Sequence, residues 1–274
     1  MEGGSLVIQG QAEAPGTLPR YTSGRVRSFG RFSVAPGAQF PVVRIEARMK
    51  LPDPGAGVWP AFWMLPSEGA TDGCSGCGRY GNWAASGEID IMEASGAMTT
   101  VRRGPGWWRE EGLAGVVQLV FGSQADPAEH IFQSPASHSH PSAPFPPQVD
   151  GTIHFGGSWP YHTSLTHASE LPGRAPFSDA FHTFGLEWER EEMRWYLDGD
   201  LQRTARSANA TRDGWFSFGP GAGPTSPFDV EFHLLLNLAL GGGYTYASAG
   251  EVAAAMAAGP RRLLVDWVRV TGRN

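Results

Sequence analysis

Three acidic residues, Glu88, Asp90 and Glu93, sit in the otherwise apolar run "SGEIDIMEAS". Paired carboxyl groups can cleave a glycosidic bond when one is ionised as a nucleophile and the other protonated as a general acid, about 5–5.5 Å apart. Their proton affinities must be driven apart, and a third acid between them can hold or share a proton. Spacing is the difficulty. Side chains of a flat strand alternate between two faces, so Glu88 and Asp90 share a face while Glu93 points the opposite way. Either Glu93 enters the core, or a bulge near Met92 absorbs one residue and returns Glu93 to its companions. Ile89 and Ile91 would anchor the back of the strand.

The chain that must position these groups has 274 residues, 41% hydrophobic and 18% charged, enough for one large domain with a substantial core. A net charge of −6 without a basic stripe argues against a nucleic-acid partner. No apolar run reaches membrane-spanning length. The start, "MEGGSLVIQGQ", has no basic n-region and no apolar h-region, so no signal peptide is expected in it. Ten tryptophans beside 15 Phe and 6 Tyr supply core volume, and also the flat surfaces on which sugar rings pack. Cys74 and Cys77, in "DGCSGCG", offer half a zinc site at most; a surface pair of thiols or a small local disulfide is the competing reading.

Strand signals dominate: "SLVIQG", "RVRSFGRFSV", "VVRIEARMKL", "GEIDIM", "GTIHFGG", "FHTFGLEWER", "MRWYLDGD", "VEFHLLLNLAL" and "LLVDWVRV". Tight turns are expected around Arg190 to Glu192 and at Asp198-Gly199. Only Gly250 to Gly259 has helix-forming composition, stopped by Gly259-Pro260. Many short strands separated by turn residues predict an all-β sandwich or barrel. Residues 101–148 break the pattern, with no strand period and a Ser/Pro/His-rich end. They read either as a long loop beside the acidic strand or as a translated intron whose removal keeps the frame.

With those motifs assembled, the chain resembles glycoside hydrolase family 16, specifically its laminarinase-like endo-β-1,3-glucanases. The likeness runs in order through "YTSGRV", "VRIEARMKLP", "GVWPAFWMLP", "YGNWAASGEIDIMEASG", "GTIHFGGSWP", "FHTFGLEWE", "RWYLDG", "LLLNLALGG" and "VDWVRV". The six-residue E-x-D-x-x-E, as against E-x-D-x-E, is shared by laminarinases, agarases and carrageenases.

The resemblance implies a β-jelly-roll sandwich of two antiparallel sheets with a concave glycan-binding cleft. It implies Glu88 as nucleophile, Glu93 as general acid/base and Asp90 tuning the pair, acting on a β-1,3-glucan with net retention. Trp59, Trp63 and Trp83 would line sugar subsites, with core packing as the alternative for each. His154 matches the histidine of T-x-H-x-G near the acid/base, and Arg25 would donate to sugar hydroxyls or bridge strands. Trp188, Trp195 and Trp267 look like core. Asp266 matches a residue that often holds a structural calcium, although hard cations need several oxygens; no cofactor is required for the reaction.

The expected organisation is one catalytic domain over 1–274, N-terminally truncated relative to the family, monomeric, and extracellular by resemblance. A galactan hydrolase of the agarase or carrageenase type, or a non-catalytic β-glucan-recognition protein, are the alternatives.

Overall fold

The structure is a computed structural model that describes residues 3–14, 20–70, 74, 76–94, 118–120 and 147–274. Among these lie thirteen strands: β1 (Leu6–Ala12), β2 (Tyr21–Arg27), β3 (Val42–Lys50), β4 (Val58–Pro66), β5 (Glu88–Glu93), β6 (Gln118–Val120), β7 (Gln148–Gly156), β8 (His162–Glu170), β9 (His182–Trp188), β10 (Glu192–Leu197), β11 (Asp200–Arg206), β12 (Phe232–Leu240) and β13 (Arg261–Arg273). The helix α1 spans Ala249–Ala257.

The strands pair in the order β11-β10-β9-β3-β13-β1-β2-β12-β4-β5-β7-β8. The hinge of this path is β1. Leu6–Gly10 pair with β13, whereas Gln11 and Ala12 pair with β2, so one strand passes from the first sheet to the second. Two six-stranded antiparallel layers result, an all-β jelly roll, with β6 running parallel to β2 beside the path. No described helix is long and apolar enough to cross a membrane.

Alternation in β3 shows why the layers stack. Val43, Ile45, Ala47 and Met49 enter the core, while Arg44, Glu46 and Arg48 face outward. That outer face is less wet than its sequence implies: Glu46 is buried beneath Arg44 and Arg269, at 2.8 and 3.2 Å. Between the sheets, aromatic rings meet edge to face, Trp188 on Phe232 and Trp215 on Phe228, at 5.5 and 5.4 Å. Burying each such ring contributes on the order of 2–3 kcal/mol.

Helix α1 starts one residue before the expected Gly250 and ends at Ala257, short of Gly259. Ser248 and Glu251 form a reciprocal capping box, and Val252 and Met256 pack on Leu240. The Asp198-Gly199 turn also forms as expected, with both residues at positive φ, 50° and 92°.

Several expectations need correction. The strand expected from Arg25 starts earlier, at Tyr21, and stops at Arg27. The pattern "HTSLTHASE" gave no strand signal because its polar residues face solvent on an edge, yet it forms β8. Gln148, taken as the end of the irregular stretch, is the first residue of β7; most of 101–148 lies outside the described residues. Trp267 is half-buried on the outer face under the Arg269 guanidinium, 4.5 Å from its ring, so it is not a core residue. Cys74 and Cys77 are joined as a disulfide.

Candidate active site

The acidic strand resolves the alternation problem with a bulge. Against β4, Asp90 pairs with Trp63 and Met92 with Phe62, leaving Ile91 as the extra residue. Against β7, Asp90 pairs with Thr152 and Glu93 with Asp150, so Ile91 and Met92 together oppose Gly151. Ile89, Ile91 and Met92 go into the core. Glu88, Asp90 and Glu93 therefore share the other face, where their charges act on one another. Gly87 delivers the chain into this strand at φ 84°, where a Cβ would lie 2.8 Å from the Phe228 ring.

Two indoles hold the outer acids. Trp83 donates from Nε1 to Glu88 Oε2 at 2.6 Å, and Trp59 donates to Glu93 Oε1 at 3.0 Å. Asp90, fully buried between them, has no well-aligned hydrogen bond to either oxygen among the described residues. His154 approaches it, Nε2 to Oδ2 at 3.3 Å, without the alignment of a hydrogen bond.

Electrostatics follow from this crowding. Burial pushes the Glu88 carboxyl up to about 8, and the neighbouring Asp90 charge adds to the effect; His154 and the Trp83 donor oppose it. Burial likewise raises Asp90 to about 8. Glu93 is raised well above the usual range by burial, then by Asp90 and Glu88, against the pull of His154 and the Trp59 hydrogen bond. Three acids that cannot all ionise must share protons, which is the condition for a nucleophile and a general acid to coexist. Glu88, Asp90 and His154 are also the one group of three potential metal ligands among the described residues, their polar atoms within 4.8 Å of one another.

The other expected residues mostly converge here. Trp59 and Trp63, four apart on β4, share the face of Glu93 and are half-buried. Trp63 donates to Asn237 Oδ1 at 2.7 Å, and the Arg25 guanidinium lies 5.4 Å over its ring. Arg25 thus stacks on Trp63. Trp83 sits in an aromatic group with His154, Trp159 and His162, at 5.4, 6.4 and 4.6 Å between ring centres.

Asp266 does not join. It lies on the opposite layer, at the register shift of β13, and pairs with Arg48 at 2.5 Å. No second acid gathers with it into a three-ligand group among the described residues. A carboxylate already held by a guanidinium is a poor start for a cation that needs six or more oxygens, so the residues described do not fit a calcium site.

Sequence reasoning missed Asp150, Asn237 and Tyr244. Asp150 opposes Glu93 and is raised to about 6 by burial, against the Tyr244 hydroxyl 3.5 Å away. Tyr244 also stacks on Trp59 at 4.6 Å. A signal existed for Asp150: it stands four before His154 on the same strand and shares its face. Asn237 is the lone polar residue in "LLLNLAL". Nothing distinguished Tyr244, which reaches the site from the connection after β12.

The profile of "Glycosyl hydrolases family 16" matches residues 146–237. Glucan endo-1,3-beta-glucosidase A1 of Niallia circulans is 30% identical over 259 residues, 93% of this chain and 27% of the relative. A beta-1,3-glucan-binding protein of Penaeus monodon is 31% identical over 229 residues, 81% of this chain and 47% of the relative. The chain thus spans about a quarter to a half of the length of these curated relatives. The laminarinase catalytic domain of Thermotoga maritima superposes with a TM-score of 0.61 at 26% identity, covering 100% of this chain and 80% of that one.

Proposed function

Because the chain belongs to glycoside hydrolase family 16, we propose that it hydrolyses internal β-1,3-glucosidic bonds of β-glucans through a covalent glycosyl-enzyme. Glu93, protonated, gives its proton to the glycosidic oxygen as the bond to C1 breaks. The ionised Glu88 attacks C1 from the opposite side and forms the ester. Glu93, now a carboxylate, takes a proton from water, whose oxygen displaces Glu88 from C1. Two inversions give net retention. Asp90 accepts part of the proton load between the two glutamates, and His154 supports its charge.

The bulge at Ile91 and Met92 carries this reading, because without it the two glutamates stand on opposite faces of the sheet. Trp59, Trp63 and Trp83 form the platform for sugar rings, with Arg25 and Asn237 fixing Trp63. We place the substrate, and so the working compartment, outside the cell on family resemblance.

A second reading is a lectin-like β-glucan binder without turnover, favoured by the name of the Penaeus monodon relative. Intact Glu88 and Glu93 weigh against it. The test is release of reducing ends from laminarin and from agarose by the native chain and by Glu88→Gln. Hydrolysis of laminarin alone, abolished in the variant, supports the proposal. Activity on agarose would redirect it to galactans, and glucan binding without turnover would favour the binder.

A further inference from the structure

Trp195 belongs to β10 in the opposite sheet and is buried in the core. Its indole Nε1 crosses the sandwich and donates to the backbone carbonyl of Asp90 at 3.0 Å, beside the register shift. The approach depends on Gly151, the residue facing the bulge from β7. A Cβ there would lie 2.6 and 2.9 Å from Cδ1 and Nε1 of Trp195 and 2.2 Å from the His167 ring. His167 closes the other side, its ring edge-on to Trp195 at 5.4 Å. Burial lowers His167 to about 4, so it packs as a neutral ring at neutral pH. Trp188, equally deep in the core, offers a contrast: its Nε1 has no hydrogen-bond partner among the described residues.

We propose that Trp195 is a positioning residue: its N–H, admitted by Gly151, fixes the β5 bulge and so keeps Glu93 on the face of Glu88. A bulge leaves a strand with unpaired backbone and alternative registers. A buried donor aimed at one carbonyl selects one register, since any other leaves both donor and acceptor unsatisfied in the core. The catalytic consequence rests on the glucanase reading, while the structural consequence is independent of it.

Two changes test the donor. Trp195→Phe removes the N–H and some volume; replacing the Trp195 indole by its benzothiophene isostere removes the N–H alone. Trp188→Phe is the control for volume lost elsewhere in the core. Turnover of laminarin and the fall in melting temperature from pH 7 to 8.5 are measured on all four proteins. Glu93 there faces Glu88 and Asp90 on its own strand, Asp150 and His154 on β7, and Tyr244 after β12. Released from the bulge, it would turn away from Glu88 and Asp90 and lose their share of its raised proton affinity.

Both Trp195 changes should lower kcat at least about tenfold with KM within about twofold, and should flatten the pH dependence of melting, whereas Trp188→Phe should alter neither. An isostere with native kcat and native slope overturns the proposal, as does an equal loss in the Trp188 control. If the native chain hydrolyses no glucan, the glucanase reading fails and the melting slopes alone decide the role of Trp195.

Discussion

Trp83 donates its indole proton to Glu88 across 2.6 Å, while Trp59 does the same for Glu93 at 3.0 Å. The two outer acids of one strand are thus each held by an aromatic ring. A donor to a carboxylate favours the ionised form. Trp83→Phe should therefore raise the proton affinity of Glu88 and move the acid limb of kcat/KM upward by roughly one pH unit. A pH–rate profile checks this, and an unmoved acid limb would separate Trp83 from the nucleophile.

Trp59→Phe acts on the other limb. Glu93 must be protonated to serve as acid, and losing its donor disfavours the carboxylate further. The alkaline limb should move to higher pH by a similar, roughly one-unit step, with the acid limb in place. Movement of the acid limb instead would exchange the roles assigned to the two glutamates.

Raised carboxyl pKa values also set stability. A group that binds its proton more tightly when folded stabilises fully below its unfolded pKa, and the gain is lost as pH rises through the folded value. For Glu88 and Asp90 that loss is complete only once pH has passed about 8. Buried His167 and His233 have the opposite sign, but both are lowered to about 4 and contribute no slope above about pH 6.5. Between pH 7 and 8.5 the melting temperature should therefore fall, and Asp90→Asn should make it fall less. Scanning calorimetry reads both slopes; a native chain that gains stability over this window would refute the raised affinities.

Trp63 tests the platform apart from the chemistry. It contacts Asn237 and Arg25 and is not hydrogen-bonded to either glutamate. Trp63→Ala should raise KM for laminarin by roughly tenfold and leave kcat within a few-fold, the pattern of lost uniform binding. A kcat loss with unchanged KM would argue that Trp63 shapes the reacting centre instead.

Much of this architecture is legible in residue order because it rests on local rules. Period-two alternation marks β3, the Asp198-Gly199 pair marks its turn, and the composition of Gly250 to Gly259 marks the helix. The acidic triplet is legible as a conflict between spacing and chemistry, which the bulge settles. What escapes depends on contacts between distant segments. Tyr244 reaches Asp150 from 94 residues away, and Trp195 reaches Asp90 from 105, so no window of sequence contains either pair. The partner of Asp266 is hidden for the same reason: Arg48, which meets its carboxylate, stands 218 residues away. Trp267 fails because alternation breaks at the β13 register shift, and the ring turns out under Arg269.

The central claim is that the β5 bulge sets Glu93 beside Glu88 to work as a retaining pair. Proton NMR in the first minutes of laminarin hydrolysis tests it directly, before the new reducing ends equilibrate. The β-anomer should form first. Initial release of the α-anomer would mean a single displacement by water and would contradict the account.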